Sequence, residues 1–107
     1  MELRDLKKNE NGALREKKEG KGRFDLLPYF VFEELAKHLE EGAKIHGDNN
    51  WRNGLDIPTC YGSALRHLLK AINSKYLKND NESLLYHLRA VIFNIMVIIE
   101  EIRKKDL

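Results

Sequence analysis

The sequence predicts an all-α fold, a bundle of three to four helices completed by homo-oligomerisation. Three observations predict it. Apolar residues recur at spacings of three and four through most of residues 28–104, the period of helices that bury one side. No convincing strand pattern, internal repeat or low-complexity tract interrupts them. The last helical segment carries an apolar stripe too broad for two neighbours to cover in a chain of 107 residues, so a homo-oligomer is expected to cover it.

Composition fits a single domain. Charged residues make up 34% and hydrophobic residues 42% of the chain. The formal net charge is +2, with a pI near 8.7, which gives no electrostatic footprint for a nucleic-acid polymer. Cys60 is the one cysteine, so no intramolecular disulfide forms and a reducing compartment is expected, with Cys60 packed as a small hydrophobe. The charged N-terminus lacks the apolar core of a signal peptide. The apolar run near the C-terminus is broken by His87, Arg89 and Asn94 and ends at Glu100-Glu101, so it is expected to be too short and too polar to span a bilayer. The expected location is cytoplasmic, away from membranes.

The elements follow in order. Residues 1–22 read as a charged flexible arm, rich in Lys, Glu, Asn and Gly, and residues 23–107 as one helical domain. Pro28 suits a helix start, because its missing N–H is not needed there. Helix one is expected from Pro28 to Ile45, burying Phe32, Leu35, Leu39, Ala43 and His46, and Gly47 stops it. Glu34 and Glu41 share one side of this helix, and Glu33 and Glu40 another. Residues 47–58, "GDNNWRNGLDIP", read as a loop from their glycines, asparagines and proline. Helix two is expected from Thr59 to Leu77, with Tyr61, Ala64, Leu65, Leu68, Leu69 and Ile72 on its apolar side. "KNDNES" is the next turn, where Asp80 or Asn81 can cap a third helix running from Glu82 to Lys104. Along that helix Leu84, Leu88, Val91, Ile95, Ile98 and Ile102 form the expected packing seam.

Polar groups on these helices are the functional candidates. His87 and Asn94 are seven residues apart on the most apolar helix, and seven more reach Glu101. Burying such groups unpaired costs roughly 1–3 kcal/mol, so each is kept for a partner, a register-fixing hydrogen bond or a site. His67 raises the same question on helix two. Residues 40–54, "EEGAKIHGDNNWRNG", crowd polar groups and the one tryptophan into a helix exit. Helix carboxylates three or four residues apart can hold Mg2+ or Mn2+ through hard oxygens, although solvated surface charge accounts for most such glutamates. No Cys/His zinc spacing, phosphate-binding P-loop or Ser-His-Asp arrangement is present in the sequence.

The ordered set "GKGRFDLLP", "LAKHLEEGAKIHGDNNWRNG", "YGSALRHLLKAI" and "HLRAVIFNI" resembles the phage and bacterial dATP/dGTP diphosphohydrolase family, N-terminal domain type, related to the MazG-like all-α NTP pyrophosphohydrolases. "NGALREK" at 11–17 looks like the arm motif that precedes it. The resemblance implies hydrolysis of a purine dNTP to dNMP and pyrophosphate, with Mg2+ or Mn2+ on helix carboxylates, in a dimer or tetramer, in a host cytoplasm if the chain is phage-encoded. It implies that Glu40 and Glu82 bind metal and that Glu40, His67 and His87 serve catalysis. It gives substrate contacts to Arg23, Lys44, Asn50, Trp51, Arg66 and Asn94. Trp51 would stack on the base or pack the loop onto helix one. The sequence also departs from the family pattern. Leu85 and Tyr86 stand where many relatives carry an acid near His87, Ala90 replaces a second histidine, "YLKND" replaces a Gly-Glu-Asp stretch, and Lys37 sits three residues before Glu40. Two other readings therefore stand beside the enzyme: a degenerate nucleotide-binding, sequestering or counter-defence protein on the same scaffold, and a helical adaptor.

Overall fold

A computed structural model describes residues 6–8, 14–16, 19–74 and 81–106, with side chains described for 19–74 and 83–105. The main elements are α1 (Tyr29–His46), α2 (Ile57–Asn73) and α3 (Asn81–Asp106), so the helical fold class holds, with three helices among the described residues. Within the arm, strands β1 (Leu6–Lys8) and β2 (Leu14–Glu16) pair antiparallel, with Lys7 opposite Arg15. The sequence reading saw no strand here, because three residues are too few to establish an alternating pattern. Asn11-Gly12, between the strands in sequence, is the hairpin signal that could have revealed them.

Local chemistry sets the helix limits. Pro28 takes the N-cap of α1 in an extended conformation, and Gly47 ends the helix at φ 91°, its N–H donating to the Ala43 carbonyl at 2.8 Å. A Cβ disfavours that φ, so a glycine is the natural stop. A 3-10 turn, Asn50–Asn53, follows Asn49, which sits in the left-handed region at φ 59°. Helix α2 begins at Ile57, two residues before the expected Thr59. Asp56 caps it: one carboxylate oxygen accepts from the Thr59 N–H at 3.0 Å and from the Thr59 hydroxyl at 2.8 Å, while Pro58 occupies the first turn. The expected end at Leu77 lies outside the described residues, as does the Asp80 cap; the Asn81 side chain is likewise outside the described side chains.

Helix α3 is the spine. Its closest packing is against α2, where Cys60 packs with Val97 and Ile98, Ala64, Ala71 and Ala90 are also buried, and Val97 is fully buried. Small side chains at Ala64, Ala71 and Ala90 allow the axes to approach. Burial makes Cys60 the small hydrophobe that was expected and raises its thiol pKa, which keeps it protonated and unreactive.

Three expected stripes are corrected. On α1, Phe32 and His46 are exposed, and the half-buried residues toward α3 include Glu34, Leu35, His38 and Leu39. On α3, the line facing α2 is His87, Ala90, Asn94 and Val97, next to the expected seam; of the seam residues only Ile98 is buried, while Leu88, Ile95 and Ile102 are 38–45% exposed. The α2–α3 contact favours small and hydrogen-bonded groups, which leaves the leucine and isoleucine line outward. Of the expected apolar side of α2 only Ala64 is buried, while Tyr61, Leu65, Leu68, Leu69 and Ile72 are exposed. An 18-residue window within Ser83–Lys105 of α3 reaches a mean hydropathy of 1.5, enough by length and composition to cross a membrane, a test that core helices also pass.

Candidate functional site

Three groups of polar side chains lie around α3, and the first lines a cleft. The cleft, about 940 Å³, opens between the C-terminal half of α1, the 47–55 loop and two α3 aromatics, Tyr86 and Phe93. Glu40, Asn50 and Trp51 line it, together with His38, Glu41, Asp48 and Arg52. The loop is held at both ends of its turn. Trp51 is half-buried and packs on the Cys60–Val97–Ile98 core between α2 and α3. Lys104 reaches back from α3 to donate to the Arg52 carbonyl at 3.2 Å. The Arg52 guanidinium lies 4.4 Å from the centre of the Trp51 ring, and its Nε donates to the Asn49 side chain. Trp51 is therefore both a packing group for the loop and a wall of the cleft.

The second group is a histidine pair. His67 Nδ1 and His87 Nδ1 are 3.0 Å apart, joining α2 to α3. One nitrogen must donate and the other accept, so at least one ring is neutral. Burial lowers both pKa values; His87, Arg66 and Lys70 add to the shift at His67, and Lys70 at His87. Tyr86 contacts His67 on one side and His38, on the cleft wall, on the other, with ring centres 6.0 and 5.9 Å away. Beside the pair, Ser63 accepts from Asn94 Nδ2 at 3.2 Å and from Arg66 at 3.3 Å, and Asn94 also donates to the Ala90 carbonyl at 2.8 Å. Asn94 is thus satisfied as a fastening of α2 to α3.

The third group joins α1 to α3. Arg89 donates to Glu34 at 3.3 Å and to Glu41 at 2.8 Å, with its side chain only 9% exposed. Its Nε and His38 Nδ1 are buried without a hydrogen-bond partner. Burial and the Arg89 charge lower the His38 pKa, against a smaller opposing effect of Glu41.

The structure brings Glu40, Asn50 and Trp51 to one cleft, His67 to His87, and Arg66 to Asn94 through Ser63. The histidine pair is not part of the cleft lining. Lys44 pairs with Glu40 across one exposed turn at 3.7 Å. Arg23 is engaged with Asp25 by two hydrogen bonds of 2.9 and 2.8 Å at the entry to α1. The Glu82 side chain lies outside the described residues. Sequence reasoning missed His38, Arg89, Tyr86 and Ser63. Its one available signal was the 34–41 carboxylate pair on a single side of α1, with His38 between them at helical spacing.

The implied divalent ion finds no built site here. Among the described residues no three His, Cys, Asp or Glu side chains converge where one ion could sit, and the two carboxylates of α1 that face α3 already hold a guanidinium. A protein-only Mg2+ or Mn2+ site needs several oxygens at once, so with Arg89 holding Glu34 and Glu41 these residues do not fit one.

The sequence profile of dATP/dGTP diphosphohydrolase, N-terminal, matches residues 11–107. No curated protein and no solved structure matches the chain.

Proposed function

From the premise that the chain belongs to the dATP/dGTP diphosphohydrolase N-terminal family, we propose that it binds a purine deoxynucleoside triphosphate in the α1–loop–α3 cleft and hydrolyses it to dNMP and pyrophosphate. The observation that carries the reading is that most of the "GAKIHGDNNWRNG" exit of α1, part of the matched sequence, lines a cleft of about 940 Å³, room enough for a nucleotide. In this reading the purine stacks on Trp51 in place of the Arg52 guanidinium, whose cation–π contact is easily exchanged for another flat partner. Arg52 and Lys44 then turn to the phosphates. Glu40, exposed on the cleft wall, accepts the proton of the attacking water. Because the cleft also carries Glu41 and Asp48, a bare triphosphate would be repelled, and the substrate is the Mg2+ or Mn2+ complex. The outward leucine and isoleucine lines of α2 and α3 support self-association, read by light scattering as a mass above one chain.

Pyrophosphate release from dATP, dGTP, dCTP and dTTP with either ion tests the reading. Release from the purine substrates, lost in Glu40→Gln, is expected; no release from any of the four contradicts hydrolysis. A second reading, nucleotide binding without cleavage, is favoured by one observation, the engagement of Glu34 and Glu41 by Arg89. Calorimetric binding of dATP or dGTP with no pyrophosphate released selects it.

A further inference from the structure

Glu34, His38 and Glu41 lie at spacings of four and three, one line on the α3-facing side of α1. Two carboxylates and an imidazole on successive turns are the donors a divalent ion takes from a helix. In this chain a side chain from α3 has reached them first. Arg89 sends one terminal nitrogen to Glu34, at 3.3 Å, and the other to Glu41, at 2.8 Å, so one planar cation spans carboxylates two turns apart. The two shortfalls of the joint fit that arrangement. With both terminal nitrogens drawn to carboxylates, Arg89 Nε is left buried with no acceptor, and His38 Nδ1, between the carboxylates, is left buried with no partner. A chain whose only need here was to hold α1 on α3 could have used apolar groups at less desolvation cost.

We propose that Arg89 is a resident cation that takes the place of a divalent ion at the Glu34–His38–Glu41 line, so that this joint needs no metal and any divalent ion enters the cleft only with the triphosphate. The geometry stands apart from the nucleotide reading, but its bearing on hydrolysis rests on that reading.

Titration of the full chain with Mn2+ alone, without nucleotide, followed by electron paramagnetic resonance, tests it. Wild-type protein is expected to bind Mn2+ no better than Glu34→Gln/Glu41→Gln. Arg89→Ala is expected to gain one Mn2+ per chain, at least about tenfold tighter than wild type, with Mn2+ raising its Tm by about 5 °C or more. Adding Glu34→Gln and Glu41→Gln to Arg89→Ala should remove the gain. If Arg89→Ala unfolds, Mn2+ must restore its helical circular dichroism. Wild-type Mn2+ binding that depends on Glu34 and Glu41, a folded Arg89→Ala that gains no ion, or an unfolded one that Mn2+ does not rescue would each overturn the proposal. Because no nucleotide is present, each of these results leaves the nucleotide reading to be judged separately.

Discussion

The two sides of α3 are held by different physics. Toward α2 the contact is close and mostly apolar, with Val97 fully buried, and its one buried amide, Asn94, is hydrogen-bonded to Ser63 and the Ala90 carbonyl. Toward α1 the contact is sparser, and its strongest links are Arg89 to Glu34 and Glu41, with His38 packed against Tyr86 and Phe93. The first joint resembles a core and fixes register. The second leaves room, and the cleft opens beside it. Dense apolar packing has little space for a ligand, whereas a joint built on a few charge-assisted bonds can border a cavity without losing its anchor. The candidate site therefore lies on the side where the fold is held by the fewest contacts.

Substitutions on the two sides should behave differently. Val97→Ala removes fully buried volume, so a loss of about 2 kcal/mol, or roughly 10 °C in Tm, is expected in thermal unfolding and should be insensitive to salt. Arg89→Ala in metal-free buffer should cost somewhat less, about 1.5 kcal/mol at low ionic strength, because Glu41 is half exposed and its attraction is partly screened. That cost should shrink between 0.05 and 0.5 M salt, by about half. A salt-independent cost would make the α1 joint an apolar contact after all, and the contrast between the two sides would fail.

Acid should loosen both joints through their histidines. The folded-state pKa values of His38, His67 and His87 are all lowered from the ordinary 6.5, with burial the first cause. The unfolded chain thus takes up protons more readily, so stability is full above about 6.5 and is lost as pH falls through that value toward the lowered folded-state values. Urea unfolding at pH 7.5 and pH 5.5 should show a lower midpoint at the acidic pH, and His67→Gln/His87→Gln should reduce the difference. The smallest stability effect belongs to Glu40→Gln, within about 0.5 kcal/mol, because its pairing with Lys44 is solvent-exposed. The same substitution should abolish pyrophosphate release, which would mark Glu40 as a residue kept for chemistry.

What the sequence disclosed, and what it hid, follows from how local each signal is. Pro28 and Gly47 bracket α1 within a residue because each acts through its own backbone. The start of α2 was read two residues late, since the Asp56 cap was not weighed. The α3 seam was misplaced for a different reason. Leucine and isoleucine dominate any reading by hydrophobicity, yet the line that packs on α2 is His87, Ala90, Asn94 and Val97, chosen for small size and a serine partner on the neighbouring helix. The polar exit of α1 was legible because asparagines, glycines and a lone tryptophan rarely gather without a role. Arg89 was visible only as an interruption in an apolar run. Its partners lie 48 and 55 residues earlier in the chain, and only the crossing of α1 over α3 brings them together.

Trp51 is the one tryptophan in the chain and forms part of the cleft wall, so its fluorescence reports directly on whether a purine nucleotide enters there. Titration of the wild-type protein with dATP and dGTP, in the presence of Mg2+, should change that fluorescence saturably, and dCTP and dTTP should do so only at much higher concentration. A folded protein whose Trp51 emission is unchanged by all four nucleotides would contradict the placement of the substrate in this cleft.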